Sequence, residues 1–179
     1  MMDIVKSIKQ AYFQQCQKKG LTNIKITNLA KSAYISRGTF YLHYENIDEL
    51  TNEIEQELLN RLWSVASSFP YQSDIKKYDW FLKVLSSEVA QIKADYAWYE
   101  LFLGPNGDPK FLGKLTQYIH SSSEWKYDAL NLKKDAKFLE YINQGSLGIF
   151  LCWINNGAQM SKEELSSLMM VHLREMRIE

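Results

Sequence analysis

Apolar residues recur every three to four positions along most of the chain, the spacing that one face of an α-helix produces. Strand-like alternation of apolar and polar residues is absent from the sequence,. The pattern therefore predicts an all-α fold with about nine helices. The predicted helices span residues 3–20, 27–33, 36–44, 46–65, 76–95, 96–103, 110–122, 135–156 and 162–177.

Capping residues and turn residues mark several of the predicted boundaries. Asp3 and Ser36 stand where N-cap side chains are expected,. Asn46 and Ser161 each precede a glutamate by three residues, which is the spacing of a capping box,. The run Gly-Pro-Asn-Gly-Asp-Pro at 104–109 is a dense turn signal, so a helix should end just before it and another begin just after it,.

The composition limits the class of protein. Of the 179 residues, 46% are hydrophobic and 23% are charged, which is typical of a globular chain,. No apolar run approaches the roughly eighteen residues of a membrane span, and the first residues do not resemble a secretory signal. The two cysteines, Cys16 and Cys152, both stand in apolar helical patterns, so we expect two buried thiols and a cytoplasmic protein,.

The net charge of zero conceals an uneven distribution of charge. Residues 1–44 carry seven basic groups and one acidic group, a sum of +6, whereas residues 45–179 carry fourteen basic and twenty acidic groups, a sum of −6. This polarity indicates that the amino-terminal part meets a polyanion. An accidental imbalance of surface charge is the alternative on this evidence alone.

Residues with catalytic or metal-binding chemistry form no recognisable pattern. His43, His120 and His172 are scattered, and none has the spacing of a zinc motif,. Neither cysteine has a histidine nearby in sequence, and no nucleophile-elbow motif occurs,. The sequence therefore predicts a protein that is not an enzyme and that has no cofactor and no metal.

Residues 25–44 have the layout of a helix-turn-helix. A short helix at 27–33 precedes the tight turn Tyr34-Ile35, and Ser36 can cap a second short helix,. The outer face of that second helix offers hydrogen-bond donors and little bulk at its start, which suits insertion into the major groove of DNA. Two core helices with a polar outer face are the alternative on this pattern alone. The outer face carries Arg37, Gly38, Thr39, Tyr41, Leu42 and His43.

The stretch from Lys19 to Tyr44 resembles the DNA-binding signature of TetR-type bacterial transcriptional repressors. It contains Leu-Ala-x-x-Ala, a turn that ends in Ile-Ser, and Arg-Gly-Thr-Phe-Tyr, in the family's order and spacing. The resemblance implies a DNA-binding domain at residues 1–46 and a helical effector-binding and dimerisation domain at residues 47–179. It also implies DNA contacts from Lys25, Thr27, Ser36, Arg37, Gly38, Thr39, Tyr41, Leu42, His43 and Tyr44.

Two positions depart from the family's pattern. Ile47 stands where a phosphate-binding lysine is common, so one contact should be missing and Ile47 should pack inward instead. Tyr34 stands where glycine is frequent, which makes a left-handed backbone in the turn less favourable. Farther along the chain, residues 103–111 and 145–157 resemble a carboxy-terminal domain that is common among such regulators in Gram-positive bacteria.

The last two helices are predicted to form a homodimer interface. Small residues interrupt the first of them, and close approach of another helix would explain glycines in a helix. Packing of the two helices within their own protomer is the alternative. The expected interface residues are Ile142, Gly145, Ser146, Ile149, Trp153, Leu165, Leu168, Met169 and His172.

Aromatic residues concentrate in the middle of the chain. They predict a pocket between helices for a small apolar or aromatic effector. Aromatic filling of the core is the alternative. The candidate lining residues are Trp80, Trp98, Tyr99, Phe102, His120 and Trp125.

Together these features predict a transcriptional regulator that binds double-stranded DNA. The expected form is a homodimeric repressor that binds a palindromic operator and is released by a small-molecule effector. The alternatives are an activator, or a helical ligand- or protein-binding module whose helix-turn-helix is only structural. DNA binding that weakens steeply with salt would distinguish the regulator from the module.

Overall fold

The computed structural model describes residues 3–132 and 135–171. Within them the chain is all-helical, which confirms the predicted fold class. A 3₁₀ turn at Leu21–Asn23 separates the first two helices. The helices are α1 (Ile4–Lys19), α2 (Ile26–Ser32), α3 (Arg37–Tyr41), α4 (Ile47–Ser67), α5 (Lys77–Ala94), α6 (Tyr96–Leu103), α7 (Pro109–Ala129), α8 (Ala136–Asn155) and α9 (Lys162–Met169).

The predicted N-caps fix the starts of α4 and α9. Ser161 and Glu164 form a complete capping box. Asn46 accepts a hydrogen bond from the Glu49 amide at 2.9 Å, but the Glu49 carboxylate bonds the amide of Glu45 instead of that of Asn46. The start of α4, which follows the helix-turn-helix directly, is therefore held by both side chains in a variant of the box.

α7 extends to Ala129 and does not end within the serine run at 121–123. The prediction ended there because serine side chains compete with the helix for backbone hydrogen bonds. Ser122 is instead buried, and its hydroxyl donates to Glu88 at 3.1 Å. The next turn buries Lys126 as well, so tertiary contacts carry the helix past the serines,.

Two other boundaries also differ from the prediction. α3 ends at Tyr41 and does not reach residue 44, because the chain turns there toward α4. α9 spans Lys162–Met169, and most of its predicted continuation to residue 177 lies outside the described residues.

One hydrophobic core runs through the amino-terminal helices and the helices behind them. Leu29 and Phe40 are fully buried in it. The rings of Tyr12 and Phe13 on α1 lie with their centroids 6.4 and 4.6 Å from that of Trp98 on α6. The core thus crosses the predicted boundary between residues 46 and 47, and that boundary stays a prediction.

The two cysteines differ in exposure. Cys16 is buried, as expected, and burial raises the pKa of its thiol to about 11. Cys152 is exposed on the outer side of α8, so the prediction of a second buried thiol is wrong. None of the described helices is long and apolar enough to cross a membrane.

Candidate functional site

α3 lies at the surface with only its inner side buried. Phe40 is 0% exposed, whereas Arg37 and Gly38 at the start of the helix are exposed. Leu42, just after the helix, is 84% exposed. A five-residue helix that buries one aromatic ring and presents the rest of its surface is shaped to enter a groove and not to fill a core.

Most of the residues predicted to contact DNA are accessible. Thr39 is half-buried, while Arg37 at the helix start is exposed. Side chains on this surface can reach a nucleic acid without any rearrangement of the core. The exposed members of the set are Lys25, Thr27, Ser36, Arg37, Gly38, Tyr41, Leu42 and His43.

Tyr44 is the exception, and its predicted DNA contact is corrected. The side chain is 2% exposed, and its ring centroid lies 5.7 Å from that of Phe40. Its hydroxyl donates to Glu53 of α4 at 3.0 Å. Burial, together with the neighbouring Glu53 carboxylate, raises the pKa of this phenol. Tyr44 therefore fixes the end of the helix-turn-helix to α4.

Ser36 organises the first turn of α3. Its hydroxyl accepts a hydrogen bond from the Thr39 amide at 2.9 Å and lies 2.8 Å from the Thr39 hydroxyl. This is the N-cap that the sequence predicted. These hydrogen bonds hold the Ser36 and Thr39 side chains at the amino end of α3, next to Arg37.

The turn before Ser36 contains a strained residue. Tyr34 has a φ of +57°, in the left-handed region that glycine occupies at least cost,. The Ile35 amide donates to the Ala30 carbonyl at 3.0 Å, and the Tyr34 amide donates to the Lys31 carbonyl at 3.2 Å. These two bonds form a Schellman motif, which holds the tyrosine backbone in that conformation.

The positive charge of residues 1–44 is mostly exposed. Lys9 is the exception, because it pairs with Glu53 and Glu57 of α4 at 2.6 Å each. The other six basic groups lie on the surface. Their positive charge is therefore available to bind a polyanion, as the charge distribution of the sequence predicted. They are Lys6, Lys18, Lys19, Lys25, Lys31 and Arg37.

Ile47 packs against the hydrophobic core and is half-buried, as its sequence position predicted. It is the first residue of α4. The amino end of α4 therefore offers an apolar contact to the core where the family has a phosphate-binding lysine.

A second candidate site is a cavity among α4, α5, α7, α8 and α9. Its volume is about 80 Å³. The walls are mainly apolar, with Leu62 from α4, Val89 from α5, Leu115 from α7 and Phe150 from α8. An apolar cavity with a few converging polar groups is the usual form of a small-molecule site.

Four polar residues that line this cavity form one connected network, the Glu88–Lys126 cluster, comprising Glu88, Tyr118, Ser122 and Lys126. Lys126 donates to Glu88 Oε2 at 2.6 Å and to the Ser122 hydroxyl at 2.9 Å. Tyr118 and Ser122 donate to Glu88 Oε1 at 2.7 and 3.1 Å. Burial, with the Glu88 charge beside it, raises the pKa of Tyr118. Both charged residues are 5% exposed, so the cavity contains a desolvated ion pair,.

The aromatic residues that were predicted to line an effector pocket do not line this cavity. Tyr99 and Phe102 are at most 1% exposed and belong to the main core. Trp80 packs on Trp125, with ring centroids 5.7 Å apart. Trp98, on α6, packs against Tyr12 and Phe13 of α1. Core filling, the alternative interpretation, therefore accounts for these rings.

His120, the polar member of that predicted set, is also outside the cavity. Its side chain is exposed, and its Nδ1 lies 3.8 Å from a carboxylate oxygen of Glu124, one turn along α7. A surface pair of this kind contributes little to stability or to binding. His120 does not line the described cavity, and its effector contact stays a prediction.

Several residues predicted for the dimer interface are buried inside the protomer. Ile142, Trp153 and Leu165 are 6%, 4% and 0% exposed, so they have little surface left for a partner. Ser146 and Met169 line the cavity instead. Ile142 lines the cavity as well, so part of the predicted interface faces the interior of the protomer. His172 lies outside the described residues.

Other residues of the same two helices do face outward. Leu168 remains from the predicted set, while Gly145 and Ile149 are half-buried. The outer face of α8 and α9, which we call the α8–α9 face, also includes residues that the sequence did not single out. The exposed apolar members of this region are Tyr141, Gly148, Cys152, Leu168 and Val171.

The sequence contained an overlooked signal for the Glu88–Lys126 cluster. Glu88 stands within the inward stripe of α5, four residues after Val84 and four before Ile92. Lys126 stands four residues after Ser122 on the inward side of α7. A charged residue at an inward helical position needs a partner when buried, so the two positions could have been paired.

The described residues contain no group of three or more histidine, cysteine or acidic side chains that could hold a metal ion. Helix α3, with the exposed Arg37 at its start, and the cavity that contains the Glu88–Lys126 cluster are the two candidate sites considered among the described residues. An exposed short helix anchored by one buried ring, within an all-helical fold, has the layout of the second helix of a helix-turn-helix.

The profile of a family described as "Transcriptional regulator C-terminal region", TetR type, matches residues 81–174, which are 94 of the 179 residues. The chain belongs to the TetR family of transcriptional regulators. Regulators of this family bind DNA and form dimers. No curated protein matches the chain in sequence.

Solved structures of regulators share the fold. A TetR-family regulator from Syntrophomonas wolfei superposes with a TM-score of 0.75 at 15% identity, covering 98% of this chain and 95% of that one. A TetR-like regulator from Rhodococcus sp. RHA1 gives 0.72 at 14% identity, with coverages of 96% and 94%. A fatty acid degradation regulator from Bacillus halodurans gives 0.70 at 14% identity, with coverages of 99% and 98%.

Proposed function

We propose that this regulator is a homodimeric repressor that binds a palindromic operator and is released when a small molecule occupies the central cavity. The observation that carries the proposal is α3, whose inner side is anchored by Phe40 while Arg37 and Gly38 are exposed. A helix fixed in this way can present its amino end to base edges in the major groove. Six exposed basic groups in residues 1–44 supply the attraction to phosphates,.

Dimerisation through the α8–α9 face supports recognition of a palindrome. A two-fold pair of protomers places two copies of α3 on one side of the dimer, and each copy reads one half-site about one DNA turn from the other. The face is apolar at Leu168, 41% exposed, and at Val171, 48% exposed. Exposed apolar residues grouped on one face are typical of an interaction surface.

The cavity supplies a route from effector to DNA. Its wall includes Leu62 of α4, the helix that also bonds Tyr12 through Thr51 at 2.7 Å and Lys9 through Glu53. A ligand that shifts α4 would therefore shift the amino-terminal helices with it. Release from DNA follows if the ligand prefers the shifted state.

Operator binding at graded salt concentrations tests the proposal. The probe is duplex DNA from immediately upstream of the coding region, with a scrambled duplex as control, measured by fluorescence anisotropy. We expect the logarithm of affinity to fall with the logarithm of salt at a slope near −0.9 per phosphate contacted. A flat response, or equal affinity for both duplexes, contradicts it. A bound operator that increases transcription in vitro indicates an activator instead.

Gly148→Leu tests the α8–α9 face. Gly148 is exposed, and a Cβ added there meets no atom within 4 Å in the protomer, so the start of a side chain has open space. The leucine side chain would wedge apart a partner helix that approaches closely. We expect a monomer by light scattering, with helicity unchanged. Gly113→Leu on α7, where a Cβ also meets nothing within 4 Å, is the matched control and should stay dimeric. A dimeric Gly148→Leu protein removes this face from the proposal.

A further inference from the structure

The Glu88–Lys126 cluster restricts the chemistry of any molecule that the cavity accepts. Among the described residues that line the cavity, Glu88 and Lys126 are the ones with formal charge, and they neutralise each other at 2.6 Å. The remaining polar side chains there, such as Tyr118 and Ser122, are neutral. The interior is thus electrically balanced before a ligand enters.

A charged ligand would upset this balance. A carboxylate placed beside Lys126 would also lie beside Glu88, and an ammonium placed beside Glu88 would also lie beside Lys126. In surroundings of low dielectric constant, a third charge leaves one group without compensation, and an unpaired buried charge is costly. A neutral ligand incurs no such cost.

The cluster still has hydrogen-bonding capacity for a neutral ligand. The Lys126 ammonium has three N–H donors, and two of them are used by Glu88 and Ser122,. Glu88 Oε2 accepts one of these bonds and has a further lone pair,. The hydroxyl group of a ligand can accept a hydrogen bond from the Lys126 ammonium and donate one to Glu88 Oε2 at the same time.

The size of the cavity restricts the apolar part of the ligand. An engineered dry cavity of about 150 Å³ holds benzene. The cavity here, at about 80 Å³, has roughly half that volume. Its apolar walls therefore suit a short hydrocarbon chain unless side chains move apart.

We infer that the effector class is a small uncharged molecule with a short apolar body and one hydroxyl or comparable hydrogen-bonding group. This inference rests on the proposed effector-released repression. It names the ligand chemistry that this chain's own residues select, through the charge balance of Glu88 with Lys126.

Three probes with the same carbon chain test the inference: 1-butanol, butyrate and butylammonium. Each is titrated into the full chain at equal ionic strength, and affinity is measured by ligand-observed NMR. We expect 1-butanol to bind at least about tenfold more tightly than either ion. Tighter binding of either ion, or no binding of any probe, overturns the inference.

Charge-altering variants make the test sharper. Glu88→Gln leaves the cavity positive, so it should gain affinity for butyrate. Lys126→Met leaves it negative, so it should gain affinity for butylammonium, which would also raise its melting temperature as a replacement cation. Lys110→Met, on the same helix but exposed and outside the cavity, is the control and should keep the preference for the alcohol. Unchanged preferences in both cavity variants contradict the inference.

Operator binding, measured with the same proteins, separates this inference from the proposed function. If the scrambled duplex binds as well as the upstream DNA, repression itself fails whatever the probes do. If operator binding persists but an ion is the preferred probe, only the ligand class fails. Release of DNA by 1-butanol from the wild-type chain but not from Glu88→Gln supports both.

Discussion

Helix α3 and the cavity that contains the Glu88–Lys126 cluster hold charged residues in opposite surroundings. Arg37 on α3 is exposed above a fully buried Phe40, whereas Glu88 and Lys126 are 5% exposed and paired with each other. Exposed charge can exchange its counterions for phosphates at little cost. Buried charge is already committed to a partner, so it selects ligands by excluding unmatched charge. In the proposed function, the chain binds a polyanion through solvated charge and restricts the charge of a small ligand through paired charge.

The largest expected effect is on the buried side of this comparison. Lys126→Met removes the partner of Glu88 and should lower the free energy of unfolding by about 3–5 kcal/mol, because a buried carboxylate is left uncompensated. Urea denaturation measures it. The double variant Glu88→Leu/Lys126→Met should recover much of the loss.

An exposed pair provides the control for Lys126→Met. Lys162 lies 3.6 Å from Glu163, and both side chains are about half or more exposed. Lys162→Met should therefore change the free energy of unfolding by less than about 0.5 kcal/mol. Equal losses in the two lysine variants would show that burial of the Glu88–Lys126 pair has no energetic consequence.

The exposed charge on α3 should affect DNA binding and not stability. Arg37→Ala should weaken operator binding by about 1–3 kcal/mol, a factor of about 5 to 150, while stability and dimerisation are unchanged. Fluorescence anisotropy and urea denaturation measure the two quantities. Lys93→Ala, which removes an equally exposed charge from α5, is the control and should leave operator affinity nearly unchanged. If both variants weaken binding equally, α3 has no special role.

The same contrast explains what the sequence could and could not predict. The Ser36 cap, the exposure of Arg37 and the unfavourable backbone at Tyr34 were predictable, because a short helix with one inward ring leaves its other side chains on the surface, next to strong capping signals,. Lys126 was not, because lysine on an amphipathic helix is expected in solvent, and only the packing of α5 against α7 shows that it is buried.

The residues predicted for the effector pocket do not line the described cavity, for a related reason. Aromatic residues such as Trp80 and Phe102 are the largest apolar side chains, so they fill cores more often than they line cavities. An aromatic residue at an inward helical position can do either, so its position in the sequence does not distinguish the two roles. Trp153 and Leu165, predicted for the dimer interface, are buried within the protomer. The sequence did not show this, since periodicity marks an apolar stripe without identifying what covers it.

Two glutamates on α4 differ in the direction in which their surroundings shift the pKa of the carboxyl group. Glu53 faces the amino-terminal helices, where its hydrogen bond with Lys9 lowers the pKa of its carboxyl group below the usual 4.5. Glu55 faces α7, where burial raises the pKa of its carboxyl group above 4.5 although Lys114 Nζ lies 2.6 Å away. Glu55 Oε1 has no hydrogen-bond partner among the described residues.

Glu53→Gln and Glu55→Gln should therefore shift stability in opposite directions. A raised native pKa means that the native state binds more protons than the unfolded state above pH 4.5, so Glu55 loses stabilising effect as pH rises through that window,. Glu53 contributes stability above pH 4.5 that is lost as pH falls through its lowered native pKa,. Free energies of unfolding across acidic pH measure both. Parallel profiles for the two variants would contradict these assignments.

The smallest expected effect concerns the strained turn before α3. Tyr34 is 90% exposed and has a φ of +57°, so its side chain contributes no packing to offset the left-handed backbone. Left-handed conformation costs a non-glycine residue about 1–2 kcal/mol. Glycine avoids this cost but loses about 0.5–1 kcal/mol of stability, because its more flexible unfolded chain loses more entropy on folding. Tyr34→Gly should therefore raise the free energy of unfolding by about 0.5–1 kcal/mol.

Asn131 provides the matched control for Tyr34→Gly. It has a φ of +50° at the carboxyl end of α7 and closes a similar turn, in which the Leu132 amide donates to the Tyr127 carbonyl at 3.0 Å. Asparagine tolerates the left-handed region better than tyrosine, so Asn131→Gly should gain less or lose stability. If Tyr34→Gly is stabilising but weakens operator binding, the tyrosine is retained at an unfavourable backbone position because its exposed ring contacts DNA. A gain no larger than that of Asn131→Gly would show that the turn beside α3 stores no particular strain.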